Sequence, residues 1–203
     1  MRLTEPIRRR NGRLVADVEG HEAYSDAVAA LRLLEITGEE AAPADKTWVA
    51  WRVVFVDAES ASKDGPGLLA RAAWELYGID LDGSHASECG GKRVIDWEAD
   101  AQRIAASVRQ VYGVTWEQFA RETAFRDACA MIGMLPRDTP MGTAIHYRTA
   151  KAPRFNGKNG EQVAAFKRAQ RAFAIDGGGD PAKASNDAMA DFAASMMRAV
   201  GSV

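Results

Sequence analysis

Apolar residues recur with a helical period through most of this chain, and the clearest run lies in 96–113. Its apolar side chains form one seam at i, i+4, i+7, i+11 and i+14: Trp97, Ala101, Ile104, Val108 and Val111. This spacing predicts an amphipathic helix. We expect the Asp96 carboxylate to cap its first turn and Gly113 to end it in a left-handed conformation.

Three more helices are predicted before this one. In 25–37, apolar residues line one face and Ser25 is the expected N-cap. The strongly apolar segment 47–58 fits either a buried helix or a strand, and we favour a helix because its surroundings are helical. Segment 68–77 is the third helix, closed by a glycine. The acidic, proline-containing stretch 39–45 is expected to be a loop.

Three helices are also predicted after the central one. Thr115 and Gln118 fit a capping box at the start of a helix that continues to Leu135-Pro136. Pro140 lies at the first position of a short helix. Asn159 is expected to cap a helix that runs to about residue 175.

A short hairpin is predicted over residues 5–18, because Asn11 and Gly12 lie between two segments that could pair. Asn-Gly favours the type I′ turn, in which both residues have positive φ. The run Arg8–Arg10 in the first segment admits two interpretations. It is either a solvated strand face or mobile terminus, which we favour, or a phosphate-binding arm.

The carboxyl-terminal segment has its own character. Residues 176–181 read Asp-Gly-Gly-Gly-Asp-Pro, which is typical of a flexible linker. Beyond it, an apolar stripe at helical spacing predicts an amphipathic helix; the stripe comprises Met189, Phe192, Ala193, Met196, Met197 and Val200. A methionine-rich stripe suits a helix that binds in a partner's groove, and equally one that docks onto its own domain.

These patterns predict a mainly α fold. Residues 1–175 form a helical, bundle-like domain with a small N-terminal β-hairpin, and residues 176–203 form a Gly-rich linker with a tethered C-terminal amphipathic helix. Abundant alanine and few β-branched runs agree with this class. A chain of 203 residues is long enough for one such domain and an appendage.

Composition and charge narrow the class of function. Hydrophobic residues make up 47% and charged residues 27%, which is ordinary for a globular protein. The formal net charge of −2 argues against a general nucleic-acid binder. The chain has no apolar run of the ~20 residues that span a membrane, no signal-peptide pattern and only two cysteines. We therefore expect a cytoplasmic protein that does not bind membranes.

No sequence motif indicates an enzyme. Gly-rich phosphate loops, nucleophile elbows, metalloprotease motifs and paired-cysteine motifs do not occur. His85 and Cys89 are four residues apart in the polar connection 80–93, but a structural zinc site needs four ligands and no second cluster exists. Cys129 is expected in the core, and His146 is expected to be structural. We therefore assign no catalytic, metal-binding or cofactor-binding residue.

Asp96, Glu98 and Asp100 form the strongest acidic cluster. Asp96 and Asp100 lie one helical turn apart, where two carboxylates could act as general acid and base or hold a cation. Helix capping and a favourable interaction with the helix dipole explain the cluster without chemistry, and we favour that interpretation.

Basic residues concentrate in the segment that follows the short helix. Residues 148–171 contain seven basic residues and one acidic residue, Glu161. The basic residues are Arg148, Lys151, Arg154, Lys158, Lys167, Arg168 and Arg171. This asymmetry fits nucleic acid, an acidic protein partner or a solvated face, and we favour the last. The candidate partner-binding residues come from this segment and the C-terminal stripe: Arg148, Lys167, Arg171, Met189, Phe192, Met196 and Met197.

An ordered set of residues connects the central helix with the segments around it. The set comprises Cys89-Gly90-Gly91-Lys92, Asp96-Trp97-Glu98-x-Asp100-Ala101-x-x-Ile104-x-Ala106-Ser107-x-x-Gln110-x-Tyr112-Gly113, Trp116, Phe119, Leu135-Pro136-x-Asp138-Thr139 and Ile145-x-Tyr147-Arg148. This set resembles a bacteriophage family encoded in tail gene clusters, in which a hairpin stands where Asn11-Gly12 lies here. The resemblance covers about residues 1–150 and is strongest in 94–148.

The resemblance implies a non-enzymatic tail assembly chaperone of a long-tailed phage, acting in the host bacterial cytoplasm. Such chaperones coat the tape measure protein, recruit the major tail protein and self-associate. The expected mechanism is burial of partner helices in apolar grooves, with avidity from many copies. Trp48, Trp51 and Trp97 are the expected core or groove residues outside the C-terminal stripe. Two alternatives stay open: a tail or head–tail structural or completion protein retained in the virion, and a nucleic-acid-binding adaptor.

Overall fold

The computed structural model describes residues 8–38, 43–85 and 94–175. The fold is mainly helical with a small antiparallel sheet near the N-terminus, which confirms the predicted class. Its elements are β1 (Arg8–Arg10), β2 (Arg13–Val18), β3 (His21–Tyr24), α1 (Ala27–Gly38), α2 (Pro43–Val54), α3 (Ala58–Ser62), α4 (Pro66–Ala72) continued by a π-helical turn (Ala73–Tyr77), α5 (Ala101–Tyr112), α6 (Trp116–Glu122), α7 (Phe125–Gly133), α8 (Pro140–Thr149) and α9 (Gly160–Ala172).

The chain divides into two compact units. Among the described residues, the first unit comprises 8–38, 43–85 and 117–129, and the second comprises 94–116 and 130–175. The predicted linker 176–181 and the C-terminal stripe lie outside the described residues, as does Cys89.

The sheet of the first unit is larger than the predicted hairpin. Asn11 and Gly12 have φ of 51° and 76°, so the predicted turn is confirmed. A second turn at Glu19-Gly20, with φ of 53° and 87°, adds β3 to the sheet. Sequence analysis missed this strand because Glu-Gly is a weaker turn signal than Asn-Gly.

The predicted helix over 47–58 is confirmed as a helix, with earlier bounds. It begins at Pro43, so the predicted loop before it is shorter. It ends at Val54 because the next residues pair with β3: Phe55 bridges Ala23, and the Val56 N–H donates to the Glu22 carbonyl at 2.9 Å.

The helix predicted from Thr115 to Leu135 is two helices, α6 and α7. The interruption falls where the chain contacts the start of α1. Ala124 forms an antiparallel bridge with Asp26, and the Phe125 N–H donates to the Ser25 carbonyl at 2.9 Å. A tertiary contact of this kind leaves no trace in local periodicity.

The central helix α5 belongs to the second unit and begins at Ala101, later than predicted. The Asp96 carboxylate does cap a turn, but that turn is 97–100, where Oδ1 accepts from the backbone N–H groups of Glu98 (3.1 Å) and Ala99 (2.9 Å). The predicted end is confirmed, since Gly113 has φ of 72°.

The buried face of α5 differs from the predicted seam. Ala101 and Val111 are exposed, whereas the buried set is Asp100, Ile104, Ser107 and Val108. Two polar residues on this face are therefore part of the packing against α8. The Ser107 hydroxyl accepts from the Met141 N–H at 2.8 Å.

Candidate interaction surfaces

An open groove lies in the first unit beside the end of α2. It has a volume of about 540 Å³ and is lined by Tyr24, Trp48, Arg52, Phe55, Val56, Asp57, Ala58 and Glu59. The lining combines three aromatic rings with charged side chains of both signs. A groove of this composition can accept an amphipathic segment, with apolar side chains on the rings and polar ones beside the charges.

The structure separates the tryptophans that sequence analysis grouped together. The Trp51 ring is 4% exposed and lies 5.3 Å from the Phe55 ring, so Trp51 belongs to the core. Trp48, one turn earlier on α2, is 42% exposed and lines the groove. Trp97, in the second unit, is half-buried.

A buried ion pair fixes the start of α1 in the first unit. Arg13 of β2 donates from Nε and Nη2 to the two carboxylate oxygens of Asp26, each at 2.8 Å. Asp26 also accepts from the Ala29 N–H at 3.0 Å, so Asp26, and not the predicted Ser25, caps the helix. Burial acts to lower the pKa of Arg13, but the hydrogen bond and charge of Asp26 outweigh it and raise that pKa.

A second buried ion pair connects α5 with α8 in the second unit. The Arg148 guanidinium donates to both oxygens of Asp100, with Nη2 to Oδ1 at 2.9 Å. It also donates to the carbonyls of Val94 (2.8 Å) and Phe173 (2.6 Å). Arg103, at the edge of the pair, donates to Asp100 at 2.7 Å. One guanidinium thus ties together the approach to α5, the start of α5 and the end of α9.

The environment of Asp100 keeps its carboxylate charged. Burial acts to raise the pKa, but hydrogen bonds from Arg148, the Asp96 N–H and Arg103 outweigh it, and the pKa is lowered. Asp100 therefore has a role beyond the favoured interpretation, in which helix capping and a favourable interaction with the helix dipole explain the acidic cluster. Its side chain caps no helix and is the acceptor at the centre of the second unit.

The candidate basic residues separate into one enclosed and six exposed side chains. The Arg148 side chain is 5% exposed, so its guanidinium is not available to a partner at the surface. The six exposed cations, which we call the basic segment, are Lys151, Arg154, Lys158, Lys167, Arg168 and Arg171. Two of the predicted partner-binding residues, Lys167 and Arg171, belong to it.

An ordered loop inside the basic segment presents an aromatic ring. Phe155 is 68% exposed and lies between Arg154 and Lys158 in the chain. The loop is closed by Asn156 and Asn159: Asn156 Oδ1 accepts from the N–H groups of Lys158 (3.0 Å) and Asn159 (3.1 Å), and Asn159 Oδ1 accepts from the Asn156 N–H (2.9 Å). The Asn159 side chain thus holds this loop and does not cap α9 as predicted.

The other residues singled out from sequence have structural surroundings. The His146 ring packs 6.0 Å from Phe166 and 5.2 Å from Tyr147. Burial raises the pKa of Cys129 to about 11, which keeps the thiol protonated. His85 stacks on Trp74 at 4.0 Å.

Neither metal-binding clusters nor membrane-length helices occur in the parts of the chain that the structure describes. Within 8–38, 43–85 and 94–175, no three His, Cys, Asp or Glu side chains are grouped as metal ligands. No helix in these ranges is both long enough and apolar enough to cross a bilayer.

Sequence reasoning missed the two buried ion pairs and the exposed ring. The partners Asp100 and Arg148 are 48 positions apart, so no local pattern joins them. Phe155 did carry a signal, because a large apolar residue is unusual in a stretch of Arg, Asn, Gly and Lys. No protein-family model matches the chain, and neither a curated protein nor a solved structure matches it.

Proposed function

We propose that this chain is a non-enzymatic assembly factor of a long-tailed bacteriophage. It binds the tape measure protein, keeps that protein soluble and recruits the major tail protein in the host bacterial cytoplasm. Several copies self-associate along one tape measure chain, which multiplies weak contacts. The choice of family rests on the resemblance in 94–148, and the mechanism rests on the groove of the first unit.

The observation that carries the mechanism is the exposed Trp48 ring in a groove that has a buried aromatic wall. Phe55 is almost fully enclosed and supplies a firm surface, whereas Trp48 leaves apolar area in contact with water. Covering a tryptophan is among the largest contributions that one side chain makes to an interface. An amphipathic partner helix would cover Trp48 and place polar groups near Arg52 and Glu59.

Co-expression with a tape measure protein tests the function. We expect the tape measure protein to be soluble with this chain, and to precipitate with the Trp48→Ser variant. Val49→Ser is the matched control, since Val49 is exposed on the same helix but does not line the groove. If the tape measure protein is equally insoluble with and without this chain, the proposal fails.

A chain ending at residue 175 tests the second candidate element. This truncation removes the stripe residues Met189, Phe192, Met196 and Met197. If it solubilises the tape measure protein as well as the full chain does, the groove is sufficient. If it fails while Trp48→Ser retains activity, the stripe binds the partner and the groove mechanism is wrong.

A further inference from the structure

We propose that the basic segment and Phe155 form a binding site for single-stranded nucleic acid. The proposal rests on the second unit alone and is independent of the tail assembly function. The net charge of −2 describes the whole chain, whereas the site depends on how charge is distributed within this unit.

Within the described part of the chain, no cation of the basic segment forms an ion pair, and Glu161 is the one acidic residue among them in sequence. There, no carboxylate lies within 4.0 Å of Lys167, Arg168 or Arg171. Arg148, the seventh cation of the sequence pattern, is neutralised by Asp100 and takes no part. The six remaining cations are exposed and therefore free to meet phosphates.

The cations of α9 are held on a fixed scaffold. Gln170 donates from Nε2 to the carbonyls of Tyr147 (3.1 Å) and Ala150 (2.9 Å), which fastens the last turn of α9 to the end of α8. Arg148 fastens its last turn through the Phe173 carbonyl. Lys167, Arg168 and Arg171 lie within about 6 Å along the axis of α9, so they form one compact cluster of charge for the phosphates of a strand.

Phe155 distinguishes this site from a merely basic surface. The closed loop orders the ring before any ligand arrives, and a Cβ at Gly160 would lie 3.5 Å from the ring, so the ring rests on the start of α9. Bases of a single strand stack on exposed rings of this kind beside cations. An acidic peptide would satisfy the cations without needing the ring, and the base faces of a duplex are already stacked on one another.

Fluorescence anisotropy with a labelled oligothymidylate tests the site in the full chain. If four cations each neutralise one phosphate, affinity falls about 50-fold when salt rises about fourfold. Lys167→Glu/Arg171→Glu removes about two phosphate contacts and should therefore weaken binding more than about 10-fold. Phe155→Ala should weaken it about 5- to 100-fold, and Phe155→Trp should retain it.

The matched control is Lys63→Glu/Arg137→Glu, which reverses one exposed lysine and one exposed arginine outside the basic segment. We expect its affinity to equal that of the unaltered chain. Absence of binding at low salt overturns the proposal, and so does an equal loss in the control. Equal binding of polyglutamate would assign the surface to an acidic protein instead. If Phe155→Ala binds normally, the attraction is electrostatic only and no stacking site exists.

Discussion

Arg148 closes on both carboxylate oxygens of Asp100 from a position 48 residues along the chain, with Nη2 donating to Oδ1 at 2.9 Å. Both side chains are almost completely enclosed. The same guanidinium donates to the Val94 and Phe173 carbonyls, so these hydrogen bonds hold the Arg148 side chain in one position. This residue pair therefore joins three segments of the second unit: the approach to α5, the start of α5 and the end of α9.

Arg148→Met should destabilise the protein by about 3–5 kcal/mol, because it leaves a buried carboxylate without its main partner. Asp100→Val should destabilise the protein by a similar amount, because it leaves the buried Arg148 guanidinium without its carboxylate. Urea unfolding followed by circular dichroism measures both. The double variant should cost less than the sum of the two, since it leaves no unpaired charge.

Arg103→Met is the control for that series. Arg103 also donates to Asp100, but its side chain is 36% exposed, so its loss should cost no more than about 1 kcal/mol. Equal effects of Arg103→Met and Arg148→Met would mean that burial does not govern the strength of this network.

Acid should weaken the protein through Asp100. Its pKa is lower in the folded chain than its ordinary value of 3.8, so the folded carboxylate holds its proton less readily. The ion pair's contribution is therefore complete above pH 3.8 and is lost as the pH falls through the folded pKa. We expect the free energy of unfolding, measured by urea unfolding at a series of pH values, to fall less steeply below pH 3.8 for Asp100→Asn than for the unaltered chain. Parallel curves would assign the acid sensitivity to other carboxylates.

Gly142→Ala should be strongly destabilising, although alanine normally favours a helix. A Cβ at this position would lie 1.9 Å from the Pro136 carbonyl oxygen and 2.8 Å from Thr139 Oγ1. We expect a loss of about 3 kcal/mol or more from this overlap. Gly133→Ala is the matched control, because nothing lies within 4 Å of its Cβ, and it should be neutral or stabilise by up to about 1 kcal/mol. Thermal unfolding of the two variants separates the effects.

Cys129 should react slowly with thiol reagents in the folded protein. With a pKa of about 11, only about one thiol in a thousand is ionised near pH 8. In a Cys89→Ser background, the alkylation rate should rise about tenfold per pH unit up to that pKa and increase sharply in urea. An ordinary cysteine has a pKa of about 8.5. An alkylation rate that levels off near that pH would contradict the prediction.

Trp48 and Trp51 should respond differently to truncation. Trp51→Ala removes a core ring and should cost about 3–5 kcal/mol. Trp48→Ala removes an exposed ring and should change stability by only about 0.5 kcal/mol. Chemical unfolding checks both values. A large loss for Trp48→Ala would make the ring structural and would remove the basis for a binding role.

Local sequence signals were sufficient for most helices and for the first turn of the sheet. Helix ends at Gly78 and Gly113 have φ of 71° and 72°, as residues after a C-terminal turn often do. The buried face of the central helix differs from the predicted apolar seam because two of its buried residues are polar. Asp100 and Ser107 are buried there, and each is satisfied by a partner from α8.

The candidate surfaces were less predictable than the elements that carry them. Whether a tryptophan on α2 is inside or outside depends on what packs over it, so Trp48 and Trp51 look alike in sequence. Arg148 likewise resembles its basic neighbours until its distant partner is known. Exposure and pairing are tertiary properties, and a single sequence encodes them only through contacts that local periodicity does not show.

The two sides of the small sheet have a consequence for how copies of this protein can associate. The β3 side is covered where Val56 pairs with Glu22, and β1 on the other side consists of three exposed arginines, Arg8–Arg10. Among the described residues β1 is the edge strand, and positive charge along an edge disfavours the approach of an identical strand. Strand addition at β1 is therefore disfavoured, and a second copy of the chain is more easily accommodated on a surface other than this edge.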